Sequence, residues 1–153
     1  MPLAWRIVKK RHAEKAFDGE GARLYGGRWN SPGVAVVYAS ESRALATLEV
    51  LAGLQTNSPL PEYVLIPAEF DDSIVVAVEP EELSAAWRRN PPPSSTQRIG
   101  DDWIASGASA VLKVPSALVP QESNYLFNPR HPAFSEVRIG QPERLPMDPR
   151  LIR

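Results

Sequence analysis

Apolar and polar positions follow two rhythms along this chain. From Ser40 to Leu54, Ala44, Leu45, Leu48, Leu51 and Ala52 recur at three- and four-residue spacing. That spacing predicts an amphipathic helix with those residues on its buried stripe. Ser40 or Ser42 is placed to cap its start, Glu41 suits its first turn, and Gly53 can end it. Glu49 follows Leu48 and stands four residues after Leu45, so it borders the stripe. A glutamate there is either an exposed shoulder residue or a carboxylate held at the edge of a core, where catalytic chemistry becomes available to it.

The second rhythm is that of short strands. Leu3–Val8, Val34–Tyr38, Glu62–Phe70, Ser73–Val78, Ser109–Val114 and Phe134–Ile139 are apolar runs of strand length. Pro67 near the end of its run predicts an edge position or a bulge. Asp18-Gly19 and Ser31-Pro32-Gly33 mark turns, and Asn124 and Asn128 read as turn residues by the same logic. Pro80–Trp87 suits a short helix. Ser95 or Thr96 can cap another that runs through Asp101, Trp103 and Ile104 and stops at Gly107. Asn57–Pro61 is expected to be a loop. Arg88–Gln97 is either a lid or partner contact, or a plain surface connection. Glu143–Arg153 is expected to pack along the surface as a tail. Six to eight strands and about three helices, without regular βαβ alternation, predict one α+β domain of short mixed or antiparallel strands.

Composition narrows the chemistry. The 16 prolines fall mostly between apolar runs, which predicts short elements joined by stiff turns. With 17 basic and 18 acidic residues, nothing argues for a nucleic-acid coating, and no helix-turn-helix pattern is present. No run approaches the roughly 18 apolar residues of a membrane span, and the first residues lack the apolar core of a signal peptide. The absence of cysteine excludes disulfides and thiolate metal sites and fits a cytoplasmic protein. His12 and His131 are the only histidines, which disfavours a histidine metal site or a conventional triad. No phosphate-loop or dinucleotide glycine motif occurs.

The candidate site lies within residues 23–54. Tyr25-Gly26-Gly27-Arg28-Trp29-Asn30 is a glycine-supported turn. Its Arg28 is either a surface residue of a hairpin or a bidentate phosphate ligand, with Trp29 beside it for stacking and Asn30 and Ser31 for hydrogen bonding. Tyr38 ends a strand and Glu49 sits on a helix. An arginine, a tyrosine and a glutamate so delivered can converge on one pocket. They suit an anionic, partly aromatic substrate with a bond whose cleavage leaves positive charge. Arg6, inside the first strand, either faces solvent or lines a site. Ser116, stiffened by Pro115 at a strand exit, is either a local backbone cap or a site residue.

The stretch GGRWNSPGVAVVYASESRALATLEVL, with VPSALVPQESNYLFNPRHPAF downstream, resembles the RES domain, from about Trp5 to Ile139. This family is the toxin half of toxin–antitoxin pairs whose antitoxin is an Xre-like protein. The resemblance rests on the order of motifs: an arginine in GRWN, a tyrosine ten residues on, a glutamate eleven after that, then a serine after a strand. The family's arginine, glutamate and serine match Arg28, Glu49 and Ser116, with Ser123 a competing match for the serine.

The resemblance implies an ADP-ribosyltransferase-like fold that takes NAD as substrate, not as a recycled cofactor, and cleaves its nicotinamide–ribose bond. Phosphate or water would be the acceptor, or alternatively a protein would be modified. It assigns Glu49 to the developing positive charge, Arg28 to the pyrophosphate and Tyr38 to nicotinamide. Ser116 would bond the nicotinamide ribose or amide, with Trp29, Asn124 and Arg6 as further NAD contacts. It also implies an antitoxin that covers the pocket near Arg28 and the 88–97 loop, and it is compatible with a symmetric homodimer. A non-catalytic binding module, with Arg28 and Glu49 as a structural ion pair, is the reading from a different class.

Overall fold

A computed structural model describes residues 1–54 and 60–152. Its frame is one mixed sheet in the order β4-β5-β6-β2-β1-β3-β7, with β8 also paired to β3. The strands are β1 (Leu3–Lys9), β2 (Val37–Ser40), β3 (Tyr63–Glu69), β4 (Val75–Ala77), β5 (Val111–Pro115), β6 (Ser123–Phe127), β7 (Arg138–Ile139) and β8 (Glu143–Leu145). All pairings are antiparallel except β4 with β5. Three α-helices complete the described residues: α1 (Glu20–Tyr25), α2 (Arg43–Ala52) and α3 (Ser94–Ser106). This is the expected α+β architecture. The loop expected at 57–61 falls largely outside the described residues.

Strand alternation divides the side chains between two faces. One face buries Ala4, Val37, Ala39, Ala68, Phe70, Val111, Tyr125 and Phe127, with Phe17 and Phe134 packed on them. Phe70 meets Tyr125 and Phe127 edge-on at 5.2 and 5.4 Å between ring centroids. The other face carries both long helices. Over β1 and β3, Ala46 of α2 packs with Trp5 and Leu65, and Arg43 lies 3.8 Å over the Trp5 ring. Over β5 and β6, Trp103 of α3 packs with Trp29, Leu112, Val114 and Leu126. Gly100 permits this close approach, because a Cβ there would stand 1.6 Å from the Trp29 carbonyl oxygen.

Several elements depart from the periodicity. Ser123–Phe127, read as turn-like around Asn124, is an interior strand between β5 and β2. Asn128 is a turn residue, its Oδ1 accepting from the Arg130 amide. Residues 20–25 form a helix ahead of the glycine turn. The strand expected from Phe134 is a 3-10 turn to Glu136 followed by two paired residues. Pro80–Glu82 is one 3-10 turn rather than a longer helix. The third helix starts at Ser94, and the Thr96 hydroxyl donates to the Pro93 carbonyl instead of capping it. Its stop at Gly107, in left-handed conformation, is as expected. The supposed tail contributes β8. Pro67 is not on an edge strand; it sits at an irregularity of the ladder, where residues 66–67 face residues 140–142. It lies where β7 and β8 leave a gap, and its carbonyl accepts from Gly140. The amide hydrogen that proline lacks falls at that break.

Candidate functional site

Ser42, not Ser40, caps α2: its side chain accepts from the Leu45 amide at 3.0 Å. The helix then turns Leu45 and Ala46 inward and leaves Leu48 46% exposed. The inward face is therefore rotated from the expected stripe. Glu49, one turn beyond Leu45, lies on it, and its carboxylate is turned toward the sheet.

Two elements meet that carboxylate. β5 ends at Pro115, and Ser116 follows, fully buried, with its amide donating to the Glu122 carbonyl. The Ser116 hydroxyl accepts from the Leu118 and Val119 amides, both at 3.1 Å, and donates to Glu49 Oε2 at 3.0 Å. Ser116 is thus the turn cap expected as one of its two roles, and its hydroxyl hydrogen goes to Glu49 rather than to the nicotinamide ribose or amide expected of it. Asn124 Nδ2 donates to the same Oε2. Asn124 stands beside Ser40 in the β2–β6 ladder, and its Oδ1 accepts from the Ser40 hydroxyl at 2.7 Å. Ser123 instead gives its amide to Glu41 Oε1, and alternation turns its side chain to the opposite face. Ser116 is the serine that reaches Glu49.

The glycine turn forms the other wall. Gly27 and Asn30 close it as a bridge. Asn30 is wholly buried and donates from Nδ2 to the carbonyls of Ala22 and Val34, at 2.9 and 3.0 Å. The Tyr38 hydroxyl donates to Asn30 Oδ1 at 2.6 Å and accepts from the Trp29 amide at 3.1 Å. A Cβ on Gly27 would come within 2.7 Å of that hydroxyl, so a glycine is needed for the tyrosine to seat. Burial raises the Tyr38 pKa; the Trp29 amide opposes this, Asp101 adds to it and Arg28 opposes it. The phenol stays neutral, its oxygen is committed to the turn, and it is no proton acceptor at neutral pH.

Arg28 sits at the turn's apex. Its Nη1 donates to the carbonyls of Trp87 and Arg89, at 2.9 and 2.8 Å. Gln97 Nε2 donates to the Gly27 carbonyl, and Arg88 Nε to that of Ala117, beside Ser116. Residues 87–89 therefore form a strap from the Arg28 turn to the Ser116 turn. Burial lowers the Arg28 pKa, against the opposing pull of Glu49 and then Tyr38. Among the described residues the ion pairs involve Lys10, Arg23, Arg43, Arg138 and Arg150, and none joins Arg28 to Glu49. The two charges influence each other without a direct ion pair.

Two expected contacts are corrected. Trp29 is 2% exposed and packs among Val36, Trp103 and Leu112, with no ring face to offer a ligand. Arg6 alternates with Trp5 and lies on the opposite face of the sheet, paired with Ile66. Its Nη1 donates to the Tyr38 carbonyl at 2.9 Å and its Nε to that of Ala16. Burial brings its pKa down to about 10, opposed by Asp18. Arg6 braces the strand behind the site. Sequence reading missed Ser40 as a site residue, and passed over Gln97. A serine two residues past Tyr38 on the same strand face was the available signal for Ser40.

Fold and site together define a single α+β domain with a hydrogen-bonded carboxylate within electrostatic reach of a guanidinium, an arrangement suited to developing positive charge beside an anion. The chain belongs to the RES domain family, whose model matches residues 3–148. It is 41% identical over 150 residues to Toxin Res of Yersinia enterocolitica, covering 97% of this chain and 99% of that protein. It is 39% identical over 155 residues to the Prs ADP-ribosylating toxin of a Sphingobium species, covering 97% and 96%. Its fold is that of a chain in the crystal structure of the M. tuberculosis MbcT–MbcA toxin–antitoxin complex. The TM-score is 0.78 at 21% identity, covering 94% of this chain and 83% of that one.

Proposed function

We propose that this protein is the toxin of a toxin–antitoxin pair and that it cleaves the nicotinamide–ribose bond of NAD at the Glu49 centre. The observation that carries this reading is the carboxylate's setting. Glu49 Oε2 is held by Ser116 and Asn124, and Arg28 influences the carboxylate without pairing to it. When the C–N bond breaks, its electron pair leaves with nicotinamide and positive charge grows on the ribose carbon, as in glycosidase transition states. A fixed carboxylate stabilises that charge without having to reorganise. Arg28 binds the pyrophosphate; its hydrogen bonds to the strap run through Nη1, and a planar guanidinium has further donors on its other edges. The Tyr38 ring lies against nicotinamide. An oxygen of phosphate or water then attacks the ribose carbon.

Transfer of ADP-ribose to a protein is the second reading, favoured by the relative named for ADP-ribosylation. Incubation with NAD labelled in the ADP-ribose part, with and without phosphate and cell extract, separates the two. Label in phosphorylated or free ADP-ribose supports the first, and label fixed on a protein supports the second. Intact NAD in every condition contradicts both. That last outcome would return the chain to a binding module, a reading whose direct Arg28–Glu49 pair is not found here.

The partner in this proposal is an Xre-like antitoxin that covers the site. Exposed apolar side chains stand close in sequence to the site residues: Tyr25 (84% exposed) before the glycine turn, Leu48 before Glu49, and Leu118 (43%) after Ser116. Apolar exposure around a polar site suits a protein partner. Titration of antitoxin at rising NAD should show competition, and antitoxin affinity unchanged by saturating NAD would exclude occlusion.

A further inference from the structure

We propose that Ser40 is a positioning residue that acts on Glu49 through Asn124. The proposal rests on the reading of Glu49 as the reactive centre for its turnover readout, but not for its geometry. Ser40 is 4% exposed at the end of β2. Its backbone is paired with Trp5 on one side and Asn124 on the other. Its hydroxyl donates to Asn124 Oδ1 at 2.7 Å, and the far end of that amide, Nδ2, donates to Glu49 Oε2. The chain hydroxyl–amide–carboxylate runs in one direction.

That direction has consequences. The Asn124 amide is half-buried and has two ends of opposite character. Reversed, it would set a carbonyl oxygen against a carboxylate oxygen, two acceptors without a hydrogen between them. Ser40 pairs the carbonyl end and so keeps the amide plane aligned with Glu49. Polarisation along the chain strengthens the terminal N–H as a donor. Ser116 supplies the second donor to the same oxygen, which leaves Oε1 without a protein partner among the hydrogen bonds described. Oε1 is then the oxygen presented to substrate, and its direction depends on how firmly Oε2 is held. A reactive group is only as well placed as the shell that supports it.

Ser40→Ala removes one oxygen from a site whose packing is otherwise retained. The experiment measures Ser40→Ala, Ser40→Thr, Asn124→Ala and the Ser40→Ala/Asn124→Ala double variant in two assays. The first is nicotinamide release from NAD. We expect kcat to fall about tenfold in Ser40→Ala, the scale of one orienting hydrogen bond, with KM within about twofold of the parent. Ser40→Thr keeps the hydroxyl and should restore kcat. In the Asn124→Ala background Ser40→Ala should cost nothing more. The second assay is hydrogen exchange of the Asn124 side-chain amide by NMR, which needs no turnover. Exchange should quicken about tenfold in Ser40→Ala while the exchange of core backbone amides is unchanged. A Ser40→Ala loss that adds in full to that of Asn124→Ala, or unaltered kcat in Ser40→Ala, overturns the proposal. If the parent protein releases no nicotinamide, the NAD reading fails, and unchanged Asn124 exchange in Ser40→Ala then overturns the relay by itself.

Discussion

Ser116 Oγ donates to Glu49 Oε2 at 3.0 Å, joining a turn and a helix 67 residues apart. The same oxygen accepts two backbone amides, so one side chain folds the 116–119 turn and seats the carboxylate. Ser116→Ala breaks both functions. It takes the partner from two amides of a partly exposed turn, which should cost about 1 kcal/mol, and it lowers nicotinamide turnover beyond what that loss explains. Chemical denaturation and kcat measured below the new unfolding midpoint check the two parts separately.

Arg28 holds the strap as well as influencing Glu49, so its removal should show in two places. Arg28→Ala is expected to weaken NAD binding by about 10- to 100-fold, the scale of a lost charge-assisted contact. It should also speed amide exchange in residues 87–89. Arg28→Lys keeps the charge but not the planar fork and should recover little of either. Calorimetry and exchange mass spectrometry read the two effects. Unchanged NAD affinity in a folded Arg28→Ala protein would make this arginine purely structural.

Two glycines near the site make opposite predictions. At Gly100 the new Cβ meets the Trp29 carbonyl oxygen at 1.6 Å, and neither a helix nor a buried turn can yield that distance cheaply. Gly100→Ala should cost about 3 kcal/mol or more. At Gly27 the obstacle is the Tyr38 hydroxyl at 2.7 Å, the end of a side chain. Gly27→Ala should cost less stability while displacing Tyr38 and lowering turnover. Thermal unfolding of the two variants side by side tests the ranking.

Tyr38 gives a pH dependence with a definite sign. Burial raises its pKa in the fold, with the Trp29 amide opposing, so the unfolded chain releases the proton first, near pH 10. Its contribution to stability is complete below that value and declines as pH rises toward the folded-state pKa. Tyr38→Phe loses the bonds to Asn30 and Trp29 and should be less stable at neutral pH, yet its stability should fall less steeply above about pH 10. Denaturation midpoints from pH 8 to 11 give the comparison; parallel slopes would contradict it.

What was legible beforehand follows from how each residue is stabilised. The glycine turn and the α2 helix answer to local pattern and were readable, whereas the strand expected at Val34–Tyr38 runs from Val37 to Ser40, so Tyr38 lies inside it rather than at its end. The face of α2 was not readable. Leu45 belongs to either stripe, and hydrophobicity alone chooses Leu48 over Glu49 for the interior. The fold chooses Glu49, because Ser116 and Asn124 supply donors that only the tertiary structure brings there. β6 was hidden for a related reason. Ser123-Asn124 reads as a turn until the ladder places Asn124 beside Ser40 and opposite Glu49. Arg6 was undecidable because a strand's alternation says which residues share a face, not which face carries the site.

The most direct test is Glu49→Gln. Glutamine keeps the side chain's shape and one oxygen to accept from Ser116 and Asn124, so the fold and NAD affinity should be close to the parent's. Only the charge that stabilises the ribose cation is lost. Nicotinamide release under single-turnover conditions should fall by at least about 10²–10³-fold, the scale of removing one electrostatic contact to a transition state. A folded Glu49→Gln protein that still releases nicotinamide at the parent rate would contradict the account at its centre.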